Sequence, residues 1–167
     1  MVAETTEVRE HVLEDALAAA GFAGARQGAP HAGELARILA EVPLFASLRK
    51  RELRHLAGQA TVRRYRAGQR IARAGFSAEG FFVLLTGRAH VERDGRLVAE
   101  LGRGGFFGEL GLLDGQARQA TVVADCDLWA LRLPRQAFLE VVRCQPDVTL
   151  ALLRELCRRM RELHLAD

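Results

Sequence analysis

Lysine is almost missing from this 167-residue chain: Lys50 is the only one, and arginine supplies the rest of the 24 basic residues. Against them stand 21 acidic residues, so the formal charge is only +3 although the pI is about 9.1. That near balance excludes a polycation built for nucleic acid, and the arginine bias reads as genomic base composition. Cysteine is scarce too. Cys126, Cys144 and Cys157 form an odd set without CxxC spacing, which argues for reduced thiols and against a disulfide framework or a zinc site. Serine occurs only at Ser47 and Ser77, neither in a nucleophile-elbow pattern, and no P-loop or kinase signature is present. His11, His31, His55, His90 and His164 are scattered without ligand spacing. The expectation is no catalytic residue, no metal and no cofactor. The apolar run Phe81 to Leu85 is far too short to cross a bilayer, and the acidic N-terminus lacks the regions of a signal peptide. A cytoplasmic protein without a membrane span is expected.

What is present is enough apolar residue, 49% against 27% charged, to bury a core in one domain with an extra helix or two. Three zones follow from periodicity. Residues 1–42 read as a helical extension: Val8, Val12, Leu13 and Leu17 share a helical face, Gly28-Ala29-Pro30 makes a linker, and a helix from near His31 carries Leu35, Ile38 and Leu39 inward. The second zone, 43–133, opens with a short helix over Arg51 to Ala57. From about Thr61 the period changes to 2 and glycines cut the chain into short strands, the pattern of an all-β barrel or jelly roll. Phe81 to Leu85 reads as a strand buried on both sides. His90 to Arg93 and Arg96 to Leu101 flank Asp94-Gly95, the strongest hairpin signal in the chain. Ala120 to Ala124 and Leu128 to Leu133 read as a closing pair. The third zone, 134–167, returns to helix after Pro134, with a break at Gln145-Pro146-Asp147. In its last helix Leu153, Leu156, Met160 and Leu163 recur with 3-4-3 spacing, a line that suits a dimer seam and packing against the barrel equally well.

Chemistry concentrates in residues 104–122. Gly104, Gly105 and Gly108 let backbone approach a ligand without an intervening Cβ. Glu109 to Leu113 is long enough for a helical turn, whose free N–H groups attract an anion. Arg118 stands downstream, and its planar fork can bond two phosphate oxygens at once. Glu109 beside an anion site makes sense when the ligand also offers a hydroxyl, and a ribose 2′-OH next to a cyclic phosphate meets both requirements. Gly102-Arg103-Gly104 with Gly108 has the wrong spacing for a dinucleotide fingerprint, and no βαβ unit surrounds it.

The segment resembles the phosphate-binding cassette F-G-E-[LI]-x-L-[LI]…R-x-A-[TS]-V of the cyclic-nucleotide-binding domain family, which includes catabolite activators, kinase regulatory subunits and nucleotide-gated channels. Phe107, Gly108, Glu109, Leu110, Leu112, Leu113, Arg118, Ala120, Thr121 and Val122 stand at matching spacing. Tyr65-Arg66-Ala67-Gly68, Arg73-Ala74-Gly75, Phe81-Phe82-Val83-Leu84 and Gly87 extend the likeness over roughly Pro43 to Met160. The resemblance implies a mainly β fold with flanking helices: a double-stranded β-helix, or jelly-roll, barrel with N-terminal helices and C-terminal hinge and lid helices. It implies that Arg118 pairs with the cyclic phosphate and Glu109 accepts from the ribose 2′-OH. Gly108, Leu110, Gln119 and Ala120 complete the ligand contacts, with the N–H groups of Gln119 and Ala120 facing the phosphate. Val91 and Ala99 would line the base, and Leu153 or Cys157 would close over it. Gln119 stands where cGMP-preferring members carry a hydroxyl, which tilts the expected ligand toward cAMP over cGMP. An unidentified protein partner would receive the signal, and a homodimer through the last helix is the further association the apolar line allows. Because the chain stops at Asp167, where a helix-turn-helix would begin, direct DNA binding is not expected. A nucleotide-free scaffold, or the sensory part of a transcription regulator, is the alternative.

Overall fold

The computed structural model describes residues 32–165. The helix expected over Val8 to Leu17 and the linker at Gly28-Ala29-Pro30 lie outside them. Helix α1 (Ala32–Glu41) buries Leu35, Ile38 and Leu39, as their i, i+3, i+4 spacing requires. A 3-10 turn (Pro43–Phe45) leads to α2 (Lys50–Gln59), which buries Leu53, Leu56 and Ala57. Glu52 in its first turn accepts a hydrogen bond from the Arg49 backbone N–H at 2.7 Å, occupying one of the donors a helix start leaves free.

Eight strands follow: β1 (Thr61–Tyr65), β2 (Arg70–Ala72), β3 (Gly80–Leu84), β4 (Ala89–Arg93), β5 (Arg96–Leu101), β6 (Phe106–Phe107), β7 (Thr121–Ala124) and β8 (Leu128–Pro134). Helix α3 (Glu109–Asp114) interrupts them after β6, and α4 (Arg135–Cys144) and α5 (Pro146–Leu165) end the chain. The strands form two four-stranded antiparallel sheets, in the orders β1-β8-β3-β6 and β2-β7-β4-β5. Among the described residues the ladders stay in two sheets and do not close into one barrel.

The hairpin at Asp94-Gly95 forms as its sequence demands: both residues have positive φ, 52° and 73°, the mirror-image turn that matches strand twist. The expected pairing of Ala120–Ala124 with Leu128–Leu133 does not form. β7 pairs with β2 and β4, whereas β8 pairs with β1 and β3. The three residues between them carry the chain from one sheet to the other and are anchored on the way. Asp127 accepts from the Ala67 N–H at 3.1 Å and from Arg64 at 2.8 Å, and His90 bonds Asp125 at 2.5 Å. These bonds reach 60, 63 and 35 residues along the chain, so no local turn signal could have shown them.

β3 is buried at every position, as the continuous apolar run suggests. Phe81 and Val83 face the helices, where Phe81 stacks on Phe138 with ring centroids 4.5 Å apart. Phe82 and Leu84 face the space between the sheets, packed with Tyr65, Phe107, Val122 and Ala130. The expected apolar line on α5 is divided. Leu156 is half-buried against the core, while Leu153, Met160 and Leu163 are 50–59% exposed. The buried anchors of that helix are Val148 and Leu152, one turn apart.

Candidate functional site

Gly108 is where the cassette turns from β6 into α3. Its φ is +94°, a region closed to most side chains, and a Cβ there would sit 2.7 Å from the Gly80 carbonyl oxygen and 2.9 Å from Arg118 Nη1. Glycine therefore both permits the turn and leaves room for the Arg118 guanidinium beside it. Arg118 is pinned through its own main chain. Its N–H donates to the Phe76 carbonyl at 2.9 Å, and its carbonyl accepts from the Gly75 N–H at 2.8 Å. Its side chain donates from Nη2 to the Gly80 carbonyl at 3.0 Å and lies 5.6 Å from the Phe82 ring centroid. Burial lowers the Arg118 pKa, with the nearby Arg132 charge acting the same way.

Glu109 follows Gly108 and is the one buried charged residue among the described residues, at 3% exposure. Burial pushes its carboxyl above the usual carboxylate range, and the Arg159 charge pulls back against that. Arg159, on α5, donates from Nη1 to Glu109 Oε1 at 3.0 Å and from Nη2 to the Phe106 carbonyl at 2.8 Å. Its guanidinium also lies 4.5 Å from the Phe106 ring centroid, within cation–π range, and Glu155 takes its Nε–H at 2.9 Å. A planar fork satisfied on three sides is a clamp between the last helix and the cassette. Position alone does not single out Arg159 from Arg154, Arg158 and Arg161; its helical phase, four residues after Glu155, is the only signal the sequence offers.

The other expected site residues are placed as follows. Ala120 is half-buried and Gln119 exposed just before β7, beside Arg118. Leu110 is 47% exposed, while Leu112 on the same helix is buried. Val91 and Ala99 are direct cross-strand partners on β4 and β5; Val91 packs against the core between the sheets and Ala99 is exposed. Leu153 and Cys157 are exposed on α5, so in this arrangement that helix reaches the cassette through Arg159 and not through them. The described residues also line open concavities. One of about 530 Å³ sits against the outer face of the second sheet, lined by Arg70, Arg73, Glu92 and Val123. The other, about 450 Å³, lies between the 3-10 turn and α5 and includes Phe106 and Arg159. Among the described residues no group of three His, Cys, Asp or Glu side chains is placed to hold a metal, and no helix is long and apolar enough to cross a membrane.

Residues 62–144 match the family described as "Cyclic nucleotide-binding domain". The chain is 37% identical over 119 residues to "Glutaminase 2" of Bradyrhizobium diazoefficiens, covering 71% of this chain and 19% of that protein. It is 36% identical over 113 residues to the "cAMP-dependent protein kinase regulatory subunit" of Aspergillus fumigatus, covering 66% and 27%. The chain thus spans about a fifth to a quarter of the length of these curated relatives. Among solved structures, the catabolite activator protein of Thermus thermophilus aligns with a TM-score of 0.64 and 33% identity, over 74% of this chain and 61% of that one.

Proposed function

Because this chain carries a cyclic nucleotide-binding domain at residues 62–144, we propose that it is a regulatory sensor whose ligand is cAMP in preference to cGMP. The observation that carries the reading is that Arg118 lies beside the Gly108 turn and Glu109 follows directly after it. Arg118 has no carboxylate within ion-pair distance among the described residues, so its charge is available to a cyclic phosphate. Glu109 presents a carboxylate with four lone-pair positions, of which Arg159 takes one oxygen, so a ribose hydroxyl can be accepted as well. Gly108, Leu110, Gln119 and Ala120 complete the contact, and Val91 and Ala99 offer the wall for the base.

In this reading the two sheets are the halves of a jelly roll over 43–133, preceded by a helical extension (1–42) and followed by hinge and lid helices (134–167). Ligand shifts the position of α5 to the extent that it binds one placement more tightly than the other. The Arg159 clamp gives it a route, since Arg159 and the ribose hydroxyl share the Glu109 carboxylate. The output passes to a protein partner, and the exposed line of Leu153, Met160 and Leu163 provides a surface for that partner or for a second copy.

The buried Glu109–Arg159 pair also favours a second reading, a nucleotide-free scaffold in which the carboxylate serves only to hold the helix. Calorimetric titration separates the two. Under the sensor reading cAMP binds at micromolar Kd or tighter, and Arg118→Ala weakens it about 10–100-fold, the worth of a charge-assisted pair. Absence of binding heat with cAMP and cGMP alike selects the scaffold.

A further inference from the structure

Arg132 lies on β8, where no cassette motif would direct attention. Its direct cross-strand partner is Phe82, and residues directly opposite in an antiparallel pair share a face. Phe82 belongs to the core between the sheets, and its ring is the one beside the Arg118 guanidinium. Arg132 therefore emerges on the face that Arg118 occupies. Its Nη2 donates to the Glu79 carbonyl at 3.2 Å, next along the chain from the Gly80 carbonyl that Arg118 uses. Space for this is provided by Gly80 itself: a Cβ there would lie 2.7 Å from Arg132 Nε and 3.0 Å from its Cγ. The missing side chain lets the arginine stem cross the strand toward the cassette.

Two guanidiniums on consecutive carbonyls repel one another. Among the described residues no carboxylate is within ion-pair distance of either, and each spends one of its five N–H donors on a main-chain oxygen. Glu109 and Glu79 carry the nearby negative charges, but the Glu109 carboxylate is bonded by Arg159 and that of Glu79 by Ser77, at 3.5 Å. Like charges converging without an ion-paired carboxylate are what an anion site looks like when the anion supplies the compensation.

Resting on the reading of the cassette given above, we propose that Arg132 is a second guanidinium of the anion site, sharing with Arg118 the phosphate of the bound nucleotide. Arg118 holds the anion from the cassette and Arg132 from the opposite sheet strand, so the site grips it from two elements.

The test is titration of the full chain and of Arg132→Gln, Arg132→Lys and Arg118→Ala with cAMP at low and at moderate ionic strength, after thermal melts show that the variants fold. The expected result is an affinity loss of about fivefold or more for Arg132→Gln, as for a charge-assisted contact. Its salt dependence should be shallower than the parent's, and Arg132→Lys should restore most of both. Unchanged affinity and salt dependence in Arg132→Gln overturns the proposal, because glutamine keeps part of the stem and removes only the charge. If the parent chain binds no cyclic nucleotide, inorganic pyrophosphate is the probe. Thermal stabilisation that falls in both Arg118→Ala and Arg132→Gln then supports a two-arginine anion site while the cyclic-nucleotide reading fails. Stabilisation indifferent to Arg132 overturns it there too.

Discussion

Gly108 and Gly115 have left-handed backbones of φ +94° and +73° at the two ends of α3, yet their surroundings differ. A methyl group at Gly115 would meet open space, whereas at Gly108 it would press on a carbonyl oxygen and on Arg118. Gly115→Ala should therefore cost only the conformational penalty, about 1 kcal/mol. Gly108→Ala should cost roughly 2–4 kcal/mol, from strain plus a displaced guanidinium, and should weaken ligand binding along with it. Urea denaturation of the two variants side by side measures the difference. At this scale the sequence was readable where the site is contiguous. Phe107, Gly108, Glu109 and Arg118 fall within twelve residues, and the fold keeps Arg118 beside Gly108. Arg159 and Arg132 were not readable, because each meets its partner only through folding, Arg159 reaching Glu109 across 50 residues and Arg132 the Glu79 carbonyl across 53, and a strand arginine carries no mark of the face it serves.

The helices and strands themselves were largely legible, since each follows from a local period or a turn signal. What periodicity could not give was which side of an element finds a partner. On α5 the 3-4-3 line runs partly over solvent, and the buried face is offset to Val148 and Leu152. Leu152 and Leu153 are neighbours of identical chemistry at 2% and 53% exposure, which makes them a controlled pair. Leu152→Ala should destabilise by about 2–4 kcal/mol through lost burial and the cavity left behind. Leu153→Ala should stay within about 0.5 kcal/mol in the monomer. Thermal melts at low protein concentration check this, and a concentration-dependent melt that Leu153→Ala abolishes would identify the exposed line as a contact between copies.

For the molecule as a whole, the clamp from Arg159 to Glu109 joins the last helix to the cassette. Removing the cation leaves a buried carboxylate without its partner, so Arg159→Met should cost roughly 2–4 kcal/mol. Adding Glu109→Gln should return part of that loss, because the uncompensated charge is then gone. A double-mutant cycle in urea measures the coupling. Acid acts on the same joint in a definite order. Glu109 has its pKa raised by burial, so the folded state takes up this proton earlier than the unfolded chain, and burial of Glu109 becomes less costly as pH falls through that raised value. The charge bonded to Arg159 is lost in the same step. Glu155 is pulled from the ordinary 4.5 down to about 2 by its hydrogen bond with Arg158, so its contribution is present above 4.5 and disappears only as pH approaches 2. Carboxyl-carbon NMR during acidification should show Glu109 titrating well before Glu155, with the helix–cassette link loosening while the ion pairs within α5 persist.

The exchange of sheets between β7 and β8 sets a schedule for the growing polypeptide. β1 finds its partner only in β8, with Thr61 opposite Arg132, 71 residues later. At 5–20 residues per second of synthesis the first strand waits roughly 4–14 s before the residues that cover its edge exist. From its own synthesis until β8 is made, β3 also lacks its long partner, and its wholly apolar surface is open to neighbouring chains. Newborn molecules should therefore be most prone to aggregation not while the cassette is being made but just before the short passage through Asp125 to Asp127 has been crossed.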